Sequence, residues 1–154
     1  MRLNFIRALQ KPMTEPQEIY FEDLTVGMSG SIEKLITDDD IVKFAEVTGD
    51  TNPLHLNDDY AGGTLFGGRI AHGMLTASLF SAVLGTKMPG PGCIYMSQSI
   101  RFLAPVRPGN VVVATVTVSQ IDNEKQHVAF ECSCTLGETV VAEGEALAKV
   151  PSRV

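Results

Sequence analysis

From Cys93 onward the chain alternates with a period of two. Between Asn110 and Ser119, Val112, Ala114, Val116 and Val118 oppose Val113, Thr115, Thr117 and Ser119, the pattern of a strand with one face on a core. Four long strands are predicted here: Cys93 to Phe102, Asn110 to Ser119, His127 to Leu136 and Glu138 to Ala148, the third alternating less cleanly than the second. Arg107-Pro108-Gly109, Asp122-Asn123 and Gly137 supply the turns between them. Earlier in the chain, Tyr20 to Leu24 and Gly27-Met28 read as an extended entry and turn, and Ser29 to Ile36 as a further strand. Ile41, Phe44, Ala45 and Thr48 then recur at i, i+3, i+4 and i+7, giving one helical stripe. Thr37 is its N-cap, Asp38, Asp39 and Asp40 complement the positive end of its dipole, and Gly49 ends it. The stretch from Ala71 to Leu84, stopped by Gly85, is apolar or small nearly all round, as expected of a helix enclosed by other structure.

One enclosed helix followed by long antiparallel strands is an α+β pattern. A curved sheet wrapped around that helix, the hot-dog arrangement, satisfies its all-round apolarity. Such a sheet leaves open edges, so edge-to-edge pairing of two copies is the natural outcome.

Composition narrows the class. A chain of 154 residues suits one core and is too short for two. We read residues 17–154 as a single domain and residues 1–16, with the Pro12 to Pro16 linker, as an N-terminal extension. The extension carries Arg2, Arg7 and Lys11 among Leu3, Phe5, Ile6 and Leu9 with no acid up to Lys11, which reads either as an amphipathic targeting helix, mitochondrial in type, or as an appended surface helix. The longest apolar-rich stretch, Ile70 to Leu84, is interrupted by polar and small residues and falls short of a membrane span. A net charge of -6 and the lack of basic runs oppose a nucleic-acid partner. Three cysteines are an odd number, and Cys132 and Cys134 sit two apart in a strand-like segment where a mutual bridge would be strained. A reduced, cytoplasmic setting fits, with the thiols as core or strand residues. Neither His127 nor Cys93 completes a zinc-like spacing.

The candidate chemistry is concentrated in Asp50-Thr51-Asn52-Pro53-Leu54-His55. On a regular helix, residues five apart are rotated by about 140°, so Asp50 and His55 could not face one substrate there. Pro53 disfavours helical geometry at Asn52, so both side chains are expected on a loop. A carboxylate and an imidazole can hold one water and act as acid and base near neutral pH, and the Asn52 amide can orient the acid, the water or the loop. The same residues also make an ordinary helix stop and Asx-turn, with His55 as a satisfied, partly buried imidazole. Taken alone, the six residues leave both readings open.

Three segments together carry a resemblance: Asp50 to His55, then Ala71-His72-Gly73-Met74-Leu75, then Ser99 to Gly109 with the run Arg101-Phe102-Leu103-Ala104-Pro105-Val106-Arg107-Pro108. In this order they resemble the MaoC-like (R)-specific enoyl-CoA hydratases, over roughly Gly27 to Val150. The resemblance implies a hot-dog homodimer that hydrates a trans-2-enoyl-CoA to the (R)-3-hydroxyacyl-CoA without metal or redox cofactor, in fatty acid metabolism or polyhydroxyalkanoate precursor supply. It implies Asp50 and His55 as the catalytic pair, Asn52 as the asparagine completing the motif, and Ser81 as a serine associated with substrate at the active site.

Hydration needs a nucleophilic water at C3, a proton at C2 and stabilisation of the enolate-like oxygen between. Gly73, without a side chain at the start of the enclosed helix, offers its amide as that oxyanion hole. His72 beside it reads as a packing residue, because a cation there would oppose the helix dipole. Tyr95, Met96, Met74 and Met88 could line an acyl tunnel or be plain core, and Arg69, Lys87, Arg101 and Arg107 could meet coenzyme A phosphates or form surface ion pairs. A hot-dog thioesterase would use a lone carboxylate, which the Asp50, Asn52, His55 set disfavours. A dehydratase of carrier-protein-bound 3-hydroxyacyl chains uses the same chemistry in reverse, and a non-catalytic acyl-binding module would need no paired proton-transfer groups.

Overall fold

A computed structural model of the chain describes residues 19–154. The expected extension, with its targeting or surface helix, lies outside the described residues. Strand β1 (Ser29–Leu35) is followed by helices α1 (Asp38–Thr48), α2 (Pro53–Leu56), α3 (Asp58–Gly62) and α4 (Gly73–Thr86). Strands β2 (Ile94–Phe102), β3 (Val111–Asp122), β4 (His127–Leu136) and β5 (Thr139–Lys149) complete the order. They form one antiparallel sheet in the order β1-β3-β4-β5-β2. Helix α4 lies against β1, β2, β3 and β4, so the sheet wraps the helix as the hot-dog pattern predicts.

The strand alternation is realised residue by residue. Val112, Ala114, Val116 and Val118 of β3 are buried, and so are Val128, Phe130, Cys132 and Cys134 of β4. The expected irregularity of β4 is absent from its burial, because cysteine packs as a small hydrophobe and fills two inward positions. Burial pushes the Cys132 thiol up to about 11 and the Cys134 thiol up to about 12, and all three cysteines are free. Cys132 and Cys134 are core residues of a strand, as expected, and Cys93 is partly buried just before β2.

Several boundaries differ from the expected ones. Helix α4 begins at Gly73 with His72 as its N-cap and runs through Gly85 to Thr86, since glycine inside a well-packed helix is a modest penalty and not a stop. Strand β3 continues past Ser119 to Asp122, with a register shift between Val118 and Gln120 that hides the alternation from the sequence. The enclosure of α4 is also incomplete. Thr76, Ala77, Leu79, Phe80, Val83 and Leu84 are buried, but Met74, Ser78, Ser81 and Gly85 form an exposed stripe in the single chain. No helix among the described residues is long and apolar enough to cross a membrane.

Candidate active site

Helix α1 delivers the motif. Thr37 caps it through a reciprocal pair of bonds, Thr37 Oγ1 accepting from the Asp40 amide at 3.1 Å and Asp40 Oδ2 accepting from the Thr37 amide at 2.9 Å. At its far end Gly49 takes φ 80°, a left-handed conformation that glycine adopts without cost. The chain leaves the helix there, so Asp50 begins the loop.

His55 is not on that loop. It sits in α2, a single helical turn whose first residue is Pro53 and whose cap is Asn52. Proline disfavours helix at the residue before it but suits the first helical position, where its missing N–H has no intrahelical acceptor to lose. Two nested Asx turns set the geometry: Asp50 Oδ1 accepts from the Asn52 amide at 3.3 Å, and Asn52 Oδ1 accepts from the Leu54 amide at 3.0 Å. Asn52 therefore holds the loop through its side-chain oxygen. The turn reading of the motif holds, and the turns leave Asp50 and His55 lining the same pocket.

His55 is buried, and its Nδ1 lies 2.8 Å from the Ile70 carbonyl oxygen. A carbonyl only accepts, so Nδ1 carries the hydrogen and Nε2 is left with a free lone pair. Asp50, His55 and Gly73 line one pocket of about 410 Å³, together with Phe66, Ile70, Thr76, Phe102, Leu103, Val106 and Val141. That volume lies in the range typical of small-molecule sites. Val141 reaches it through a bulge in β5 opposite Cys134 and Thr135. The Leu103 and Ala104 amides both bond to the Val141 carbonyl, at 2.8 and 3.4 Å.

The pocket abuts the N-terminus of α4. The Leu75 and Thr76 amides bond to the His72 carbonyl at 3.1 and 3.3 Å, while the first amides of a helix, here Gly73 and Met74, have no intrahelical acceptor. Gly73 is constrained by packing as well. A Cβ built there would come within 2.9 Å of the Phe102 ring, so any side chain at this position requires that ring to shift.

The other expected residues divide. Ser81 is exposed on α4 and is not among the residues lining the pocket of the single chain. Met74 lines the pocket, Tyr95 and Met96 are exposed on β2, and Met88 is core. Arg69 is held by Asp38 and Asp58, both at 2.7 Å, and Arg101 pairs with Glu143. Arg107 donates to the Phe66 carbonyl, and Lys87 is exposed at the end of α4. Phe66, Leu103 and Val141 were missed as pocket residues, since nothing in an isolated loop or bulged strand distinguishes a pocket-lining side chain from a core one.

His72 is buried as a packing residue should be, but it also joins the polar site. Asp50, His55 and His72 bring potential ligand atoms within 4.8 Å of one another. The His55 and His72 rings are in contact, with centroids 3.9 Å apart and planes tilted by 33°. One nitrogen of each ring faces a backbone carbonyl, Nδ1 of His55 that of Ile70 and Nε2 of His72 that of Asp50.

Comparison with known proteins agrees with this geometry. Residues 24–140 match the MaoC like domain. An (R)-specific enoyl-CoA hydratase from Rhodospirillum rubrum is 54% identical over 134 residues, covering 87% of this chain and 93% of the relative. A 3-hydroxybutyryl-CoA dehydratase from Methylorubrum extorquens is 49% identical over 141 residues, covering 92% and 90%. Among solved structures, the (R)-hydratase from A. caviae involved in PHA biosynthesis superimposes with a TM-score of 0.82 at 38% identity, covering 84% of this chain and 99% of that one. With the family's domain matched over residues 24–140 and relatives about half identical along most of its length, the chain belongs to the MaoC-like dehydratase family.

Proposed function

We propose that the chain is a hydro-lyase that adds water to a trans-2-enoyl-CoA to give the (R)-3-hydroxyacyl-CoA, reversibly. One observation carries this reading: His55, its tautomer set by the Ile70 carbonyl, shares an apolar pocket with Asp50 beside the uncapped N-terminus of α4. Two relatives spanning about nine-tenths of the chain bear the names of this reaction's two directions.

In the hydration direction, water is held between Asp50 and His55 and attacks C3. One proton leaves the water for His55 Nε2 and one reaches C2 from Asp50, so the pair begins and ends with the same number of protons. Charge developing on the thioester oxygen is met by the Gly73 amide and the positive end of the α4 dipole. Asn52 keeps the acid and base in register through its cap. The apolar wall of the pocket accommodates the acyl chain and excludes bulk water.

We take residues 17–154 as the catalytic domain and assign it to the cytoplasm, a setting supported by its unbridged thiols. A homodimer is supported by two features. Strand β2 is an open edge with Ile94, Tyr95 and Met96 exposed, and the stripe of Met74, Ser78 and Ser81 on α4 is uncovered. A second copy on that stripe would enclose Ser81, which gives its expected substrate role a physical route.

The test is incubation with crotonyl-CoA, following loss of the enoyl absorbance, then chiral analysis of the product. (R)-3-hydroxybutyryl-CoA is the expected product; thioester hydrolysis without hydration, or the (S) isomer, would contradict the reading. The same assay with crotonyl-carrier protein separates a CoA hydratase from the carrier-protein dehydratase.

A further inference from the structure

His72 stands outside the three-residue motif and yet contacts Asp50 and His55 and directly precedes Gly73. Its ring is 1% exposed, packed between His55, centroids 3.9 Å apart, and Phe44, centroids 4.8 Å apart. Its Nε2 lies 3.0 Å from the Asp50 carbonyl oxygen. The carbonyl accepts, so Nε2 donates. The other nitrogen, Nδ1, is buried with no hydrogen-bond partner. An unpaired buried nitrogen is a penalty that a phenyl ring in the same space would not carry. What imidazole adds over a hydrocarbon ring is the one hydrogen bond to the backbone of Asp50.

We propose that His72 is a positioning residue that holds the acid, the base and the oxyanion amide in one register. The Nε2–H bond fixes the backbone of Asp50 where the chain has just left α1. The ring face supports the imidazole of His55, whose opposite constraint is the bond from Nδ1 to Ile70. The His72 carbonyl starts α4 by accepting from the Leu75 and Thr76 amides, and the next amide in the chain is that of Gly73. One rigid, buried residue thus connects three groups contributed by separate segments, and a shift in it displaces all three. His72 acts through these groups and exchanges no proton with substrate. The inference rests on the reading of Asp50 and His55 as the proton-transfer pair.

Two variants separate the contributions. His72→Phe keeps a ring packed against His55 and Phe44 and deletes the donor, whereas His72→Gln keeps a donor of similar reach and deletes the ring contacts. Both are assayed with crotonyl-CoA for kcat and KM, with thermal unfolding measured alongside, and Asp50→Asn and His55→Ala as controls. His72→Phe is expected to stay folded and to lose about tenfold or more in kcat, the scale of a small misplacement of catalytic groups, with KM changed by less than about twofold. His72→Gln should fall between it and the wild type. A structural role alone would lower the melting temperature and leave turnover per folded molecule intact, and that result overturns the proposal. Should His72→Phe fail to fold, His72→Gln decides: reduced kcat at constant KM supports positioning, and wild-type kcat overturns it. If His72→Phe is fully active while the controls are inactive, positioning alone is overturned; if the controls are active, the reading of the pair falls with it.

Discussion

At the scale of single residues, the site depends on which backbone groups occupy the side chains. Asp50, Asn52 and His55 each bond to a backbone amide or carbonyl, and what remains free on each is what chemistry can use. For Asn52 the Oδ1 is engaged as a cap by the Leu54 amide. Asn52→Ala should therefore cost about 1 kcal/mol of stability, as a lost cap does, and reduce kcat less than a change at Asp50 or His55. Asn52→Ser, which can cap the same turn, should recover most of both in urea denaturation and steady-state kinetics. Equal loss in Asn52→Ser and Asn52→Ala would give the amide a direct chemical role. Gly73 carries two constraints, approach of an oxygen and contact with Phe102, so a larger residue there needs its effect on folding measured before its effect on turnover is interpreted.

At the scale of elements, the link from β1 to α1 places the motif. Lys34 on β1 pairs with Asp40 at 2.9 Å, and Asp40 also completes the Thr37 capping box. Burial pushes the Asp40 carboxyl up, but hydrogen bonds from Lys34 and Thr37 outweigh it and hold it below the ordinary 3.8. Asp40 therefore stabilises the fold above its unfolded-state value, and this contribution is lost as pH falls through the lower folded value. In Asp40→Asn the stability against pH should be flatter below about pH 4 than in the wild type, as urea midpoints across that range would show. Thr37→Ala should cost about 1 kcal/mol with turnover of the folded protein unchanged.

These elements also mark what the sequence makes legible. The period-two pattern located β3 and β4, the Thr37 and Asp40 signals located α1, and the motif contained Asp50 and His55, which the fold brings into one pocket. The helical turn carrying His55 was not legible, because Pro53 is a helix breaker in the interior and a helix starter at the first position, and the sequence does not say which. The register shift in β3 and the bulge at Val141 are set by pairing with β4, a long-range property that no local pattern records. Between α3 and α4, Arg107 donates to the Phe66 carbonyl, the Ile70 amide to Leu54 and the Ala71 amide to Val106, long-range bonds that the local sequence does not announce.

At the scale of the whole molecule, a single chain leaves an open β2 edge and an uncovered stripe on α4. Sedimentation at micromolar concentration should give a dimer, and Ser78→Arg on the α4 stripe should shift it towards monomer; a folded, active wild-type monomer would contradict that architecture. The deeper claim is that the hot-dog sheet and its helix serve to present one acid and one base to the same pocket. Its most direct test is the turnover of crotonyl-CoA by Asp50→Asn and by His55→Ala against the wild type, with circular dichroism confirming that each is folded. A loss of at least about two orders of magnitude in kcat in each variant is the expected result, and near-normal turnover in both folded variants would contradict it.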